Sequence, residues 1–356
     1  SRCVADCFWP ARRKLLFYSI IAAPLASLAA VDLTGVYDIG TLTPLERPTA
    51  YGNNLYLTEA EAQKLAAQAE AYNQRANQDS DPERRAPKSG GRVGGYNYFW
   101  LDRGSSATTV EGKFRTSIIS KPLNGRIPAM TKAGAERMKG LNDQWRLLWR
   151  TQDLASHYNT GKAWWLDNQD GIGPYDDIEQ RPLAERCIIG SRSTAGPPML
   201  PNLYNNHKRV IQTNDAIMIL TEMNHDARII KLNGAPIGAS GTSWLGDSLG
   251  VWDGDTLVVT TNNFGVTPAL SGSDKNLVVV ERFSLQGDGN LLYSFEISNP
   301  TVWSDSWGGE FTWSNAGSDK VYEFACHEGN YALGNIMRGA RELEREANLA
   351  ASAGGL

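Results

Sequence analysis

The sequence predicts a mainly β protein: an antiparallel meander or barrel-like sheet in the C-terminal half, with an irregular, partly helical N-terminal half packed on it. Three observations carry this expectation. From Arg209 onward short β-prone segments recur at near-regular spacing, Asn, Asp and Gly separate most of them, and the chain before that point is broken by proline and glycine. β-Branched and aromatic side chains suit a pleated surface, while Asn, Asp and Gly tolerate the positive φ of tight hairpins.

The segments run Arg209–Thr213, Ala216–Glu222, Arg228–Leu232, Ser248–Trp252, Thr256–Asn262, Leu277–Leu285, Leu291–Ile297, Glu310–Ser314 and Lys320–Ala325. Asp253-Gly254-Asp255 and Gly287-Asp288-Gly289 are the clearest turns between them. Strands joined in this way leave two open edges, and closure into a barrel removes both. Glu281 and Arg282 are neighbours on one such strand. Alternation therefore points one of them inward, where a charge needs a partner.

Upstream, residues 31–57 read as irregular, with Pro44, Pro48 and Gly52 interrupting any run. Thr58-Glu59-Ala60-Glu61 is a capping box, in which hydroxyl and carboxylate each satisfy a free amide, and it opens an Ala-rich helix to about Asn77. Asp79–Gly95 lacks apolar periodicity and reads as an exposed loop; Tyr96–Leu101 and Phe114–Ile119 read as strands, with a turn at Asn124-Gly125. A second helix is expected from Lys132 to Leu148, a loop-rich stretch over 155–206, and a last helix from Asn335 to Leu349 with Arg and Glu at helical spacing.

The first thirty residues read as an address. Arg12, Arg13 and Lys14 form a basic head, Leu15–Leu28 an apolar stretch too short to span a bilayer, and Ser27-Leu28-Ala29 a small-x-small cleavage site. The expected organisation is a signal peptide over 1–29, exported by the general or the twin-arginine route, a helical and irregular region over 30–206, and a barrel-like region over 207–356. The working place would be the periplasm or the extracellular space. Cleavage takes away four basic residues and Asp6, so the formal charge of −4 becomes about −7. So acidic a protein is a poor partner for nucleic acid or for an anionic membrane surface. Stable membrane insertion is not expected either. Cleavage also leaves Cys187 and Cys326, which an oxidising compartment would join as one disulfide.

Two histidines sit in polar company. Glu222, His225, Asp226 and Arg228 fall at one strand junction, and His327, Glu328 and Tyr331 follow Cys326. Each histidine beside a carboxylate could serve as a general acid or base, with Arg228 holding an anion, so the catalytic candidates are His225, Asp226, His327 and Glu328. Asn205 and Asn206, in Leu203-Tyr204-Asn205-Asn206-His207, offer amides to a polar ligand and join Glu222, Arg228 and Tyr331 as ligand-binding candidates. No His-Glu-x-x-His helix, nucleophile elbow or dinucleotide fingerprint is present in the sequence, so no metal and no cofactor is expected.

Several stretches together resemble a group of uncharacterised secreted bacterial proteins: Leu42–Pro48, Glu179–Leu183 leading to Arg186-Cys187, Asn224–Ile230 with its HDAR run, Trp252–Val259 with WDGDTLVV, and Cys326–Tyr331 with CHEGNY. The resemblance spans most of the chain after the leader. It implies a secreted protein and brings no activity, cofactor or catalytic residue. The leading expectation is a protein that binds a small, partly apolar or sugar-like molecule. The alternatives are a hydrolase or lyase with His/carboxylate acid–base chemistry, and an extracellular assembly subunit.

Overall fold

The computed structural model describes residues 31–78, 83, 85, 101–148, 173–235 and 241–354. The expected leader, nearly all of the Asp79–Gly95 loop and most of the Tyr96–Leu101 strand lie outside them.

Nine strands close into a barrel. They are β1 (Gly35–Asp38), β5 (His207–Gln212), β6 (Ala216–Thr221), β7 (Ala227–Lys231), β8 (Asp247–Asp253), β9 (Thr256–Asn262), β10 (Val278–Leu285), β11 (Leu291–Ser298) and β12 (Trp307–Asn315). Each pairs with the next, and β12 pairs back with β1. The turn chemistry thus located the strands well. Phe114–Ile119 is not one strand, since only its two end residues fall in short strands, and three features of the barrel also differ from expectation. The closing strand β1 comes from the stretch that reads as irregular, because two paired positions on β12 and four on β5 hold it rather than its own propensity. β7 and β8 run parallel, since a long connection replaces a hairpin there. Lys320–Ala325 forms no strand.

The remaining short strands are β2 (Thr109–Val110), β3 (Lys113–Phe114) and β4 (Ile119–Lys121). β2 and β3 form a small hairpin of their own, and β4 docks on β12 at a bulge between Gly308 and Gly309. A β-carbon on Gly309 would stand 2.3 Å from the Ile118 carbonyl oxygen, so only glycine lets the two backbones meet.

Helix α1 (Glu59–Ala76) begins with the capping box the sequence announces: Glu61 N donates to Thr58 Oγ1 at 3.3 Å, and Thr58 N donates to Glu61 Oε2 at 2.7 Å. Helix α2 (Lys132–Leu148) is tied down by Arg137, which donates to the Ser273 and Val266 carbonyls. Helix α3 (Tyr331–Gly354) is longer than expected and rests Ala340, Ile336 and Leu343 against Tyr175. No helix of the described residues is long and apolar enough to cross a membrane.

Alternate residues of most barrel strands are buried, as in Leu291, Tyr293, Phe295 and Ile297 of β11, while β1, β8 and β12 also bury neighbouring residues. Their inward side chains, with Phe283, Phe311, Trp307 and Trp313, fill the barrel as a packed core. Trp303 belongs to the same cluster, so the three C-terminal tryptophans pack inside rather than forming an open stacking surface.

One polar knot crosses this core. Arg228 of β7 donates Nη1 to Glu281 Oε1 of β10 at 2.9 Å, Nη2 to Glu281 Oε2, Nη2 to Thr261 Oγ1 of β9, and Nε to Ser248 Oγ of β8. Glu281 is fully buried and also accepts from the Tyr293 hydroxyl at 2.7 Å. Of the pair Glu281 and Arg282, the glutamate is therefore the inward residue, and its partner is Arg228.

The segment 193–200 is buried along its whole length although it is neither helix nor strand. A buried loop must place its backbone polar groups. Here Met199 N donates to Tyr293 Oη at 2.9 Å, Thr194 O accepts from Lys208 Nζ, and Ser193 Oγ donates to Pro198 O. The segment plugs one end of the barrel. Nothing in its composition beyond its prolines and glycine announces that role.

Candidate functional site

The plugged end gathers the end of β1, the start of β5, the end of β6 and the start of β7. Between β6 and β7 the chain turns sharply, with Asn224 and His225 both at positive φ. Buried Asn224 holds this turn by donating Nδ2 to Asp226 Oδ1 at 3.0 Å and to the Cys187 carbonyl. Asp226 Oδ2 in turn accepts from Gly190 N at 2.7 Å. The carboxyl of Asp226 is half-buried, and burial pushes its pKa up against the pull of those two donors.

Cys187 and Cys326 are joined as the sequence predicts, across 139 residues, with Cα atoms 5.8 Å apart. Beside them is an open cleft of about 280 Å³, lined by Cys187, Ile188, Ile189, Asn224, His225, Asp226, Ala227, Ser243, Trp244 and Leu245. Trp244 is 41% exposed, the ring that a packed core would have covered.

The candidates separate clearly. His225 and Asp226 line the cleft. His327 and Glu328 are exposed, follow the disulfide in sequence and are not part of that lining. Tyr331 is 77% exposed at the start of α3. Arg228 is buried with its guanidinium committed to Glu281, Thr261 and Ser248, so it offers no open face to an anion. Asn206 is also buried and serves as a bracket: its Nδ2 donates to the Asp102 and Asn202 carbonyls, and its Oδ1 accepts from Asn202 N. Asn205, at positive φ, hydrogen-bonds the carboxylate of Glu222.

Glu222 leads to a second cluster. His207 Nδ1 lies 3.4 Å from Glu222 Oε2, and His207 Nε2 lies 3.9 Å from Asp319 Oδ2. Asp38 faces His207 across the β1–β5 pair, and Asp102 is brought to the same spot by the Asn206 bracket. On the inner side of the same strand, Lys208 is buried and donates to the Thr194 carbonyl at 2.8 Å; burial depresses its pKa to about 7. The hydrogen bond that His207 donates to the Glu222 carboxylate raises the pKa of His207. Glu222 resists its own burial through that partner and stays below the ordinary glutamate range. Burial, then the neighbouring Asp102 charge, raises Asp38.

Asp38, Asp102, Lys208 and Trp244 escaped the sequence reading. One signal was present for the aspartates: Asp38-Ile39-Gly40 and Asp102-Arg103-Gly104 are the same Asp-x-Gly turn pattern. In each, the carboxylate accepts from the glycine amide two residues on, at 2.7 and 3.3 Å.

The pair of His207 and Glu222 makes a measurable pH signature. A histidine with a raised folded pKa adds stability that is fully present below its unfolded value, about 6.5, and is lost as pH rises through the folded value. The stability difference between wild type and His207→Gln should therefore be largest near pH 6 and shrink on the alkaline side. Taking the difference cancels the contributions of groups that His207 does not influence, Lys208 and Asp226 among them, whereas Asp38 and Glu222 are coupled to His207 and remain part of the signature. Urea midpoints of both proteins across that range check it; a difference that stays constant with pH would remove the ion pair from the account.

Compared with known proteins, the chain matches no family model, and no curated protein or solved structure is significantly similar to it, so the site is read from its own geometry.

Proposed function

We propose that this protein binds a small, partly apolar or sugar-like molecule in the cleft beside the Cys187–Cys326 disulfide, in the periplasm or outside the cell. The observation that carries this reading is the composition of the cleft wall. Ile188, Ile189, Leu245 and the exposed ring of Trp244 offer apolar contact, and His225 and Asp226 offer polar atoms that fix orientation. Small-molecule sites combine these two features, and a volume of about 280 Å³ suits a molecule of monosaccharide size. Because the barrel interior is packed with side chains, the mouth is the better site. The disulfide supports an oxidising compartment.

The hydrolase or lyase reading has one observation in its favour. In the same cleft an exposed His225 stands next to Asp226, the imidazole and carboxylate combination that acid–base chemistry uses. Binding comes first in either case.

The test is a thermal-shift and calorimetric screen of monosaccharides, disaccharides and small amphipathic alcohols and acids, repeated on Trp244→Ala. A hit should raise the melting temperature of the wild type and lose on the order of tenfold or more in affinity in the variant, the worth of one well-used aromatic contact. Hits that bind both proteins equally would place binding outside the cleft and sink the proposal.

A further inference from the structure

The geometry points to a divalent transition-metal site formed by Asp38, Asp102 and His207 at the rim of the plugged barrel end. It uses residues outside the cleft and does not rest on the binding reading. One ligand atom from each of the three residues lies within 4.8 Å of the others. Atoms sharing an ion at roughly 2.0–2.2 Å sit somewhat closer than this, a gap that side-chain rotation can close.

The three residues come from distant parts of the chain, and each is aimed by a separate device. His207 is set opposite Asp38 by the register of β5 on β1. Its Nδ1 is turned to Glu222, which leaves Nε2 as the ligand atom. A carboxylate on the far nitrogen is how metal-bound histidines are oriented. Asp102 is docked through its own carbonyl by buried Asn206. Gly40 and Gly104 amides hold one oxygen of each aspartate. The two turns interlock so closely that a β-carbon on Gly104 would stand 2.5 Å from the Gly40 carbonyl carbon.

Charge makes the same case. Asp38, Asp102, Glu222 and the exposed Asp319 surround a single imidazole. Among the described residues no Lys or Arg forms an ion pair with Asp38 or Asp102; Lys208 lies near enough to feel Asp38 and Glu222, but its ammonium is turned inward to the Thr194 carbonyl. A dication adds positive charge on the outer side, where the carboxylates face one another.

The donor set also selects the ion. Imidazole nitrogen with two carboxylates suits Zn²⁺ or Mn²⁺, whereas Ca²⁺ and Mg²⁺ prefer oxygen alone. Three protein ligands leave a position open to water or to a substrate oxygen, the arrangement of catalytic rather than structural zinc.

The experiment is calorimetric titration of the full chain, stripped with chelator, with ZnCl₂, MnCl₂ and CaCl₂, alongside Asp102→Asn, His207→Gln and Glu222→Gln. Circular dichroism checks that each variant is folded. The site predicts one equivalent of Zn²⁺ or Mn²⁺ held more tightly than Ca²⁺. Glu222→Gln should weaken binding by about 10–100-fold, as outer partners do, and the two ligand variants by at least as much. Should Asp102→Asn not fold, Co²⁺ absorption of wild type and His207→Gln decides: the d–d band of a nitrogen-containing site must be lost with the imidazole. No binding, equal binding of Ca²⁺, or Zn²⁺ binding indifferent to His207→Gln would each overturn the site, the last two leaving an acidic patch only.

Discussion

Arg228→Met is expected to be the most damaging single substitution in this protein, costing about 3–5 kcal/mol of stability. The guanidinium is 2% exposed and Glu281 is 0% exposed. Removing the cation strands a carboxylate in a packed aromatic core, where it must either stay charged without a partner or take up a proton. Total stabilities run only about 5–15 kcal/mol, so a variant with this loss is close to unfolding at ordinary temperature. The converse is equally specific. Arg228→Met combined with Glu281→Leu should recover much of the loss, since a buried ion pair replaced by apolar groups of similar size is often neutral. In that double variant Tyr293 Oη keeps the Met199 amide as a donor, but its own proton loses the Glu281 acceptor, so the recovery is incomplete. Urea unfolding of the two singles and the double provides the measurement. Additive losses would mean that the pair is not coupled as described.

Loss of the Cys187–Cys326 bridge is the second large effect. Closing a loop over 139 residues removes unfolded-chain entropy worth roughly 5 kcal/mol. The bond does local work as well. Cys187 lines the cleft, its carbonyl accepts from Asn224 of the strained turn, and Asn330 beyond Cys326 donates to the Glu185 carbonyl at 2.7 Å. Cys187→Ser with Cys326→Ser should therefore lower the melting temperature by many degrees and also weaken any ligand of the cleft. Wild type with both thiols verified as reduced should melt with the double variant. An unchanged melting temperature in reduced protein would show that the bridge contributes little.

Much of this architecture was legible because it is local. Asp253-Gly254-Asp255 gives a hairpin wherever it occurs between β-prone runs, and Thr58 with Glu61 opens a helix through contacts within one turn. The two remaining cysteines had one partner each. Glu281 announced a buried charge through simple alternation, though not that Arg228 would answer it. What could not be read depends on residues far apart. β1 is a strand only because β5 and β12 offer their edges, and the 193–200 plug is buried only because the barrel ends where it does. Asp38 and Asp102 are ordinary turn residues until the fold sets them side by side. Arg228 misled for the reverse reason: a run of polar residues near a histidine looks like a site, yet the pleat of β7 sends Arg228 into the core while the preceding turn leaves His225 at the surface.

The pairing pattern divides the barrel in a way its closed outline hides. β10 and β11 share eight paired positions, while β7 with β8 and β1 with β12 share two each. The wall is thus two antiparallel leaves, one of four strands (β1, β5, β6, β7) and one of five (β8 to β12), meeting along two short seams. Arg228 belongs to the first leaf, and Ser248, Thr261 and Glu281 to the second. The buried ion pair is therefore a clasp holding a bivalve shut from within. One seam borders the cleft, between Ala227 and Leu245. A molecule bound there would touch both leaves, Ala227 of β7 on one side and the Ser243–Leu245 stretch leading into β8 on the other.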